Sequence, residues 1–374
     1  MNPKSPSTRN GVIDIMKGVM IISIVLYHLI YRVQDGIGDR ILCGFVYLFI
    51  PLFFLLTGYF YRKKDGSLIP AIIRRMKALI LPAVLTVGVL LLLFGPYYLA
   101  FHEEYSVSVW LGDILTTYLR PQLMLLIAPN GSVGLLYHNL SPVWFIWTMG
   151  FASLIFYPIA GLLYDSTKKL CIAAGVLVVT GAILYALVPE LSWSLQLAPL
   201  YAGIMLIGAI LGKHKVIDKL CTVGARLSIF ITIAAFAIHI PIYGFTGTDL
   251  LYIGRLQQGD LTSFVSGLIF PVQTLIGGYV ILSLARLINA LPKISGLLEW
   301  IGRHTMVILL FHCLIGGIAC DMMHTFNRPG PEWYHSPVTS DMYIKSVISA
   351  VISLPLCCGL AQLNDRLKMK VAKK

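Results

Sequence analysis

Residues 11–31 of this chain read GVIDIMKGVMIISIVLYHLIY, and they indicate its fold class. This stretch is a nearly unbroken apolar run of about 20 residues, which is long enough to cross the hydrocarbon core of a bilayer as one helix. Basic residues precede it, as in a signal peptide, but the chain continues YHLIYRVQDG with no small-residue cleavage site. We therefore expect a retained first transmembrane helix.

The composition of the whole chain agrees with that expectation. Of 374 residues, 57% are hydrophobic and 12% are charged, and the mean hydropathy is +0.80. Soluble globular proteins carry roughly twice that share of charge, so a bilayer must solvate most of this chain. The net charge of +12 lies in short clusters between apolar runs, which argues against a nucleic-acid-binding face. The seven cysteines are odd in number and form no CxxC pair, so we read them as apolar fillers.

Apolar runs of about 20 residues predict an all-α polytopic membrane protein with about ten transmembrane helices. Residues 1–374 are expected to form a single membrane domain, with no separate soluble domain and no internal repeat. The ten runs lie near 12–32, 41–61, 78–100, 142–164, 170–189, 194–212, 220–245, 264–287, 304–320 and 342–364.

The distribution of Lys and Arg predicts that both termini are cytoplasmic, because basic residues concentrate in cytoplasmic segments. The predicted inner segments include Arg62, Lys63 and Lys64, the run 74–77, the segment 213–219 and a basic tail, 365–374. The longest outer segment, about 101–141, contains VWLGDILTTYLRPQLMLLI, which we expect to form an amphipathic helix at the outer leaflet. A second outer loop, 321–341, is rich in Pro and Gly.

Polar groups within the first helix are the strongest functional signal, because each costs free energy at bilayer depth. At about 100° per residue, the eleven steps from Lys17 to His28 return to within about 20° of the same direction. Asp14 lies one turn before Lys17, and about 16 Å of helix axis separates Lys17 from His28. One helix face therefore carries an acid, a base and an imidazole. The alternative is structural: Asp14 and Lys17 pair at the inner headgroups, and His28 bonds a neighbouring backbone.

The spacing Lys17-x10-His28 resembles the Arg-x10-His pattern of the membrane acyltransferase-3 family, with lysine in place of arginine. Further segments resemble that family in order along nearly the whole chain. They are FIPLFFLLTGYFYRKK (49–64), RRMKALILP (74–82), with Pro82 opening a helix, SPVWFIWTM (141–149), PLYAGIMLIGAILGK (199–213) and WIGRHTMVILLFH (300–312).

The resemblance implies transfer of an acyl group, usually acetyl, from cytoplasmic acyl-CoA to a hydroxyl of a surface or lipid-linked carbohydrate. In that interpretation His28, Lys17 and Asp14 form the catalytic set, and His28 is either the general base or the acyl carrier. A donor with several phosphates needs cations on the inner side. The candidates for donor binding are Lys17, Arg74, Arg75 and Lys77, and ordinary membrane anchoring also explains the last three.

Trp144, Trp147 and His312 are candidates for contact with the acceptor. Aromatic faces suit sugar rings, although both tryptophans also fit an interfacial belt and His312 also fits a backbone contact. His239 and Glu299 are expected to be structural. The chain has no GxSxG elbow, no GxxxxGK[ST] phosphate loop and no HExxH pair, and no metal is expected.

The sequence thus predicts an O-acyltransferase, with acetyl-CoA or another acyl-CoA as donor, in the inner membrane of a bacterial cell envelope. Its partners would be the acyl-CoA, the carbohydrate acceptor and membrane lipid, with no nucleic acid. Two alternatives remain: a secondary transporter or flippase for a sugar or lipid-linked sugar, and a sensor or partner-binding membrane domain. Transporters more often show Gly- or Pro-broken helices in matched halves, which are not evident here.

Overall fold

The computed structural model describes residues 11–30, 49–63, 68–101, 106–119, 144–188, 191–246, 261–324 and 340–372. The regular structure in these ranges is helical, as the apolar runs predict. The helices are α1 (Gly11–Ile30), α2 (Phe49–Tyr59), α3 (Leu68–Phe101), α4 (Val107–Leu119), α5 (Trp144–Leu163), α6 (Thr167–Leu187), α7 (Ala198–Lys213), α8 (Val216–Cys221), α9 (Ala225–Thr246), α10 (Leu261–Asn289), α11 (Pro292–Arg303), α12 (Thr305–His324) and α13 (Ser340–Ala372), with a 3₁₀ helix over Ser192–Leu197 before α7.

Within the described ranges, six helical segments are long and apolar enough to cross a membrane. A seventh arises if α11 and α12, which meet at 84°, form one span. Every one of the ten predicted runs overlaps a helix, and the chain is a multi-pass membrane protein. The full count of ten spans and the sidedness of the termini remain predictions. The six segments are Leu68–Tyr97, Phe145–Leu163, Thr167–Leu187, Trp193–Lys213, Ser263–Asn289 and Val347–Leu367.

The helix that carries the basic run begins earlier than expected. We predicted a span near 78–100 opened by Pro82, but α3 starts at Leu68 and holds Pro82 in its interior. Neighbouring helices and local backbone adjustment allow proline inside a membrane helix. As a consequence, Arg74, Arg75 and Lys77 lie on the helix itself, and its periodicity points them in different directions.

The expected helix in the outer segment 101–141 is present as α4, and the indole Nε1 of Trp110 donates a hydrogen bond to the carbonyl of Leu91 on α3 at 3.0 Å. The placement of α4 at the outer leaflet stays a prediction. Residues 102–105 and 120–141 of that segment, and 325–339 of the loop 321–341, lie outside the described residues. The basic tail 365–374 continues α13 as far as Ala372.

Two helices form the centre of the described bundle. α7 packs against α2, α5 and α6, while α1 packs against α10, α11, α12 and α13. Glycines permit the closest approaches. A Cβ on Gly208 would lie 2.0 Å from the carbonyl oxygen of Leu55 on α2, and one on Gly302 of α11 would lie 1.8 Å from that of Asp14 on α1. The polar helix α1 is therefore enclosed by protein on several sides.

Candidate active site

A cavity of about 390 Å³ lies between α1, α2, α3, α5 and the bend from α11 to α12. Its α1 wall consists of Lys17, Ile21, Ile24 and His28. These residues recur at i, i+4, i+7 and i+11, which is the spacing of one helix face. The structure thus places Lys17 and His28 along the same cavity wall.

The opposite walls are mostly apolar. α2 contributes Phe53 and Leu56, and α5 contributes Phe145 and Met149, whereas Thr57 adds a hydroxyl. Such a lining, with a few polar groups that converge on it, is typical of small-molecule and cofactor sites.

Lys17 is held at its place in the cavity by a neighbour on the same helix. Its Nζ donates to Oδ1 of Asp14 at 3.1 Å and lies 5.5 Å from the ring centroid of Phe60. Asp14 is buried, with a side chain only 5% exposed, and the cavity-lining residues do not include it. Lys17 therefore forms the i, i+3 ion pair with Asp14 that the structural alternative predicted, and it also lines the cavity. Asp14 positions Lys17.

The basic run of α3 is divided by its helical periodicity. Arg75 lines the cavity, whereas Arg74 and Lys77 are exposed. The Nη2 of Arg75 donates to Oγ1 of Thr57 at 3.3 Å and lies 3.7 Å from Sδ of Met149. Its Nε is buried and has no hydrogen-bond partner among the described residues. A buried, unsatisfied N–H on a cation is suited to an anionic ligand.

Arg303 is a lining residue that sequence reasoning missed. It is the last residue of α11, immediately before the bend, and it joins Lys17 and Arg75 around the cavity. The signal was present, because Arg303 lies inside the quoted segment WIGRHTMVILLFH. Its proximity to the other two cations arises from the bend of 84°, which the sequence does not reveal.

His28 forms a hydrogen-bonded pair with His312. The Nδ1 of His28 lies 3.0 Å from the carbonyl oxygen of Ile24 and 3.1 Å from Nε2 of His312. The two ring centroids are 5.0 Å apart, with the planes inclined at 56°. The sequence named both residues but did not predict that they meet.

His312 is fully buried and is not among the residues that line the cavity. The expectation that it touches the acceptor therefore finds no support in its position, which is behind His28. With Cys313, the two histidines offer three potential metal-ligand atoms within 4.8 Å of one another. Nδ1 of His28, however, lies within hydrogen-bond distance of the carbonyl oxygen of Ile24. Because a carbonyl oxygen can only accept a hydrogen bond, this nitrogen carries a proton and is not available as a metal ligand. Hydrogen bonding explains the arrangement better than shared metal coordination.

Trp147 packs against Trp193, with ring centroids 6.3 Å apart, and it does not line the cavity. Trp144 begins α5, and its side chain lies outside the described part of the structure.

Glu299 lies beside Gly11, at the start of α1, where a helix N-terminus favours a carboxylate. The side chain of His239 also lies outside the described part.

The ends of α2, α5 and α7 meet through predicted inner-side residues. Lys63 pairs with Asp165, and Nζ of Lys213 donates to the carbonyl of Tyr164 at 2.7 Å. The hydrogen bond from Lys63 holds the pKa of the exposed Asp165 carboxyl below its usual range, and the charges of Lys63 and Lys213 add to that effect. Lys64 lies outside the described residues.

Comparison with known proteins supports the resemblance noted from the sequence. A family model described as an acyltransferase domain, of the acyltransferase-3 type, matches residues 10–361, nearly the whole chain. No match was found among curated proteins or solved structures. One cavity is lined by the imidazole of His28 and by three basic side chains, and the family model covers nearly the whole chain. The chain belongs to the acyltransferase-3 family and is a membrane acyltransferase.

Proposed function

We propose that this protein is an O-acyltransferase that moves an acetyl or other acyl group from cytoplasmic acyl-CoA to a hydroxyl of an extracytoplasmic or lipid-linked carbohydrate. The observation that carries the proposal is that one cavity is lined by both Lys17 and His28, together with Arg75 and Arg303. A site for acyl transfer from a phosphorylated donor needs both an anion-binding part and a base.

The donor phosphates would occupy the part of the cavity near the cations. Arg75 bonds to Thr57, which lies two residues before the end of α2. The chain then leads directly to Lys63 and its contact with Asp165. This end of the bundle carries the residues predicted to be cytoplasmic, which favours entry of acyl-CoA from the cytoplasm.

The thioester would lie farther along α1, toward His28. Eleven residue steps of helix lead from Lys17 to His28, about 16 Å along the axis. The long pantetheine arm of CoA likewise separates its thioester from its phosphates. Ile21 and Ile24 line the intervening wall. These apolar side chains suit the methylene and methyl groups of the arm and of the acyl group.

His28 would act through Nε2. Because the carbonyl of Ile24 accepts from Nδ1, the neutral ring carries its proton there and its lone pair on Nε2. As general base, Nε2 takes the proton of the acceptor hydroxyl while the oxygen attacks the thioester carbonyl. The carbon–sulfur bond then breaks, and the CoA thiolate leaves and receives that proton. In the acyl-carrier route, Nε2 attacks the thioester carbonyl, the carbon–sulfur bond breaks and the CoA thiolate leaves. The hydroxyl oxygen then attacks the acyl group on the ring, the nitrogen–carbon bond breaks, and the hydroxyl proton passes to the thiolate. Both routes use the same nitrogen.

The carbohydrate acceptor rests on the family resemblance and on the depth of His28, which would place the hydroxyl toward the outer side. The rival function, a transporter or flippase for a sugar, is also consistent with a multi-pass bundle and an internal cavity. Transfer of label from a CoA thioester separates the two, because a transporter forms no acyl ester. A sensor domain would transfer no label and would not depend on His28.

The test uses inside-out membrane vesicles that contain the protein, supplied externally with radiolabelled acetyl-CoA. We expect label in a glycan or lipid-linked sugar fraction, and a loss of roughly 100-fold or more in His28→Ala, since a positioned general base contributes about that much. The matched control is His214→Ala, an exposed histidine at the end of α7 that contacts Thr167. It should retain the wild-type rate.

Absence of labelled glycan or lipid in wild-type vesicles that retain folded protein would contradict the proposed transfer. Equal labelling in wild type and His28→Ala would remove His28 from the mechanism while leaving the transfer reaction in place.

A further inference from the structure

We propose that His312 is the positioning residue for His28. Its Nε2 accepts a hydrogen bond from Nδ1 of His28, which fixes the tautomer and ring orientation and steadies the positive charge that forms on the ring during transfer. This inference rests on the proposed function. It assigns His312 a role that acts through His28 instead of the acceptor contact expected from the sequence.

The protonation of His312 follows from its backbone contacts. Its Nδ1 lies 2.9 Å from the carbonyl oxygen of Leu309 and 3.1 Å from that of Ile308. Carbonyl oxygens only accept hydrogen bonds, so Nδ1 carries the proton. In the neutral ring Nε2 is then an acceptor, and it faces Nδ1 of His28 at 3.1 Å.

The protonation of His28 follows by the same reasoning. Its Nδ1 is 3.0 Å from the carbonyl oxygen of Ile24, so this nitrogen is also the donor. One N–H is thus shared between two acceptors, the carbonyl of Ile24 and Nε2 of His312. The opposite tautomer of His28 would set its Nδ1 lone pair against both acceptors. The pair therefore directs the basic lone pair to Nε2.

His312 is itself firmly held. It is fully buried on α12, and its backbone carbonyl accepts a hydrogen bond from Oγ of Ser353 on α13 at 3.0 Å. The ring is held by the carbonyls of Ile308 and Leu309 on its own helix, while Ser353 of a second helix holds the backbone at this position. In other proteins, a hydrogen-bond partner that is held in place orients catalytic and metal-bound histidine rings. His312 is placed to orient the ring of His28 in the same way.

The pair also acts during the chemical step. When Nε2 of His28 takes a proton, the ring becomes an imidazolium and its Nδ1–H becomes a stronger donor. Hydrogen bonds that involve a charged group are about twice as strong as neutral ones. The bond to His312 is therefore stronger in the transition state than in the ground state, and its loss should lower kcat more than it raises KM.

The test compares His312→Leu with His312→Gln, in purified protein reconstituted with a membrane extract as the acceptor source and radiolabelled acetyl-CoA as donor. The amide oxygen of Gln can accept from Nδ1 of His28, whereas Leu fills space without an acceptor. We expect His312→Leu to lower kcat roughly 10- to 100-fold with the KM for acetyl-CoA nearly unchanged. His312→Gln should recover most of that loss.

An unchanged kcat in His312→Leu would overturn the positioning role. So would an equal loss in the Leu and Gln variants, or a loss that lies wholly in KM, because packing or direct substrate contact would produce those results. Thermal unfolding of both variants identifies a folding defect. If His312→Leu does not fold, His312→Phe replaces it, because Phe also offers no acceptor to Nδ1 of His28: a kcat lower in the Phe variant than in the Gln variant supports the role, and equal kcat values contradict it. Absence of labelled product in wild type would instead contradict the proposed acyl transfer.

Discussion

The substitution Gly302→Ala should separate α11 from α1 and damage the cation end of the cavity. A Cβ on Gly302 would lie 1.8 Å from the carbonyl oxygen of Asp14, whereas ordinary van der Waals contact begins at 3.4 Å. The atom in the way belongs to the backbone of a packed helix, so it cannot rotate aside. The helices must move apart by more than an ångström, and overpacking of this kind costs about 1–3 kcal/mol, occasionally more.

The same helix provides a matched control. Gly296 lies six residues earlier on α11, and nothing lies within 4 Å of the position that its Cβ would occupy. Gly296→Ala removes backbone freedom from a helix without a clash, so it should be neutral or stabilise the protein by about 0.5–1 kcal/mol. The two variants add the same methyl group to the same helix and differ only in what that group meets.

Thermal unfolding of the purified protein in detergent measures the stability difference, and the KM for acetyl-CoA measures the functional one. Gly302→Ala should unfold at a lower temperature than both wild type and Gly296→Ala. It should also raise the KM, because Arg303, adjacent to the substitution, and Lys17 line the cavity beside this contact. Coincident unfolding of Gly302→Ala and Gly296→Ala would refute the argument that close contact between α1 and α11 builds the site.

Two further predictions follow from the charged groups. Arg75→Met should raise the KM for acetyl-CoA about 10- to 100-fold, which is the equivalent of one hydrogen bond to a charged phosphate. The control is the substitution Arg74→Met at the exposed neighbouring residue, whose KM should stay within about twofold of wild type. Equal effects of the two substitutions would contradict the assignment of Arg75 to the donor. Because the hydrogen bond from Lys63 lowers the pKa of Asp165, the pair stabilises the protein at neutral pH, and this contribution is lost as the pH falls below about 4. The difference in Tm between wild type and Asp165→Asn should therefore be constant from pH 7 down to about pH 5 and should shrink as the pH falls through the lowered pKa of Asp165. A difference that does not shrink on acidification would show that another contact causes it.

The parts of the site that lie on one helix could be predicted from the sequence. The shared face of Lys17 and His28 needs only the period of an α-helix, and the cavity has both residues on one wall. The position of Arg75 could also have been obtained in that way. Leu79 and Ala83 of α3 are buried, and Arg75 precedes Leu79 by one turn on the same stripe. The sequence analysis took Pro82 as the start of this helix, so it did not assign Arg75 to a helix face.

The contacts between helices could not be obtained from periodicity. His28 and His312 are 284 residues apart in the chain, and Arg303 reaches the cavity only because α11 and α12 meet at 84°. Without homologous sequences, no local pattern pairs such distant positions. The sequence also left the neighbours of Trp147 open. Its ring packs against Trp193, a contact that no local pattern indicates, and its role toward the acceptor stays a prediction.

The enclosure of α1 explains how one helix can carry so much polar chemistry inside a membrane protein. Ionised side chains at bilayer depth are costly unless they are paired or face a protein cavity, and both conditions apply to Lys17 through Asp14 and the cavity. Gly18 and Gly302 bring α11 into backbone contact with this helix, while α12 supplies His312 behind His28. A helix held in this way keeps its lysine and its histidine at a constant separation. A reaction that anchors a long donor at one end and cleaves it at the other depends on that separation.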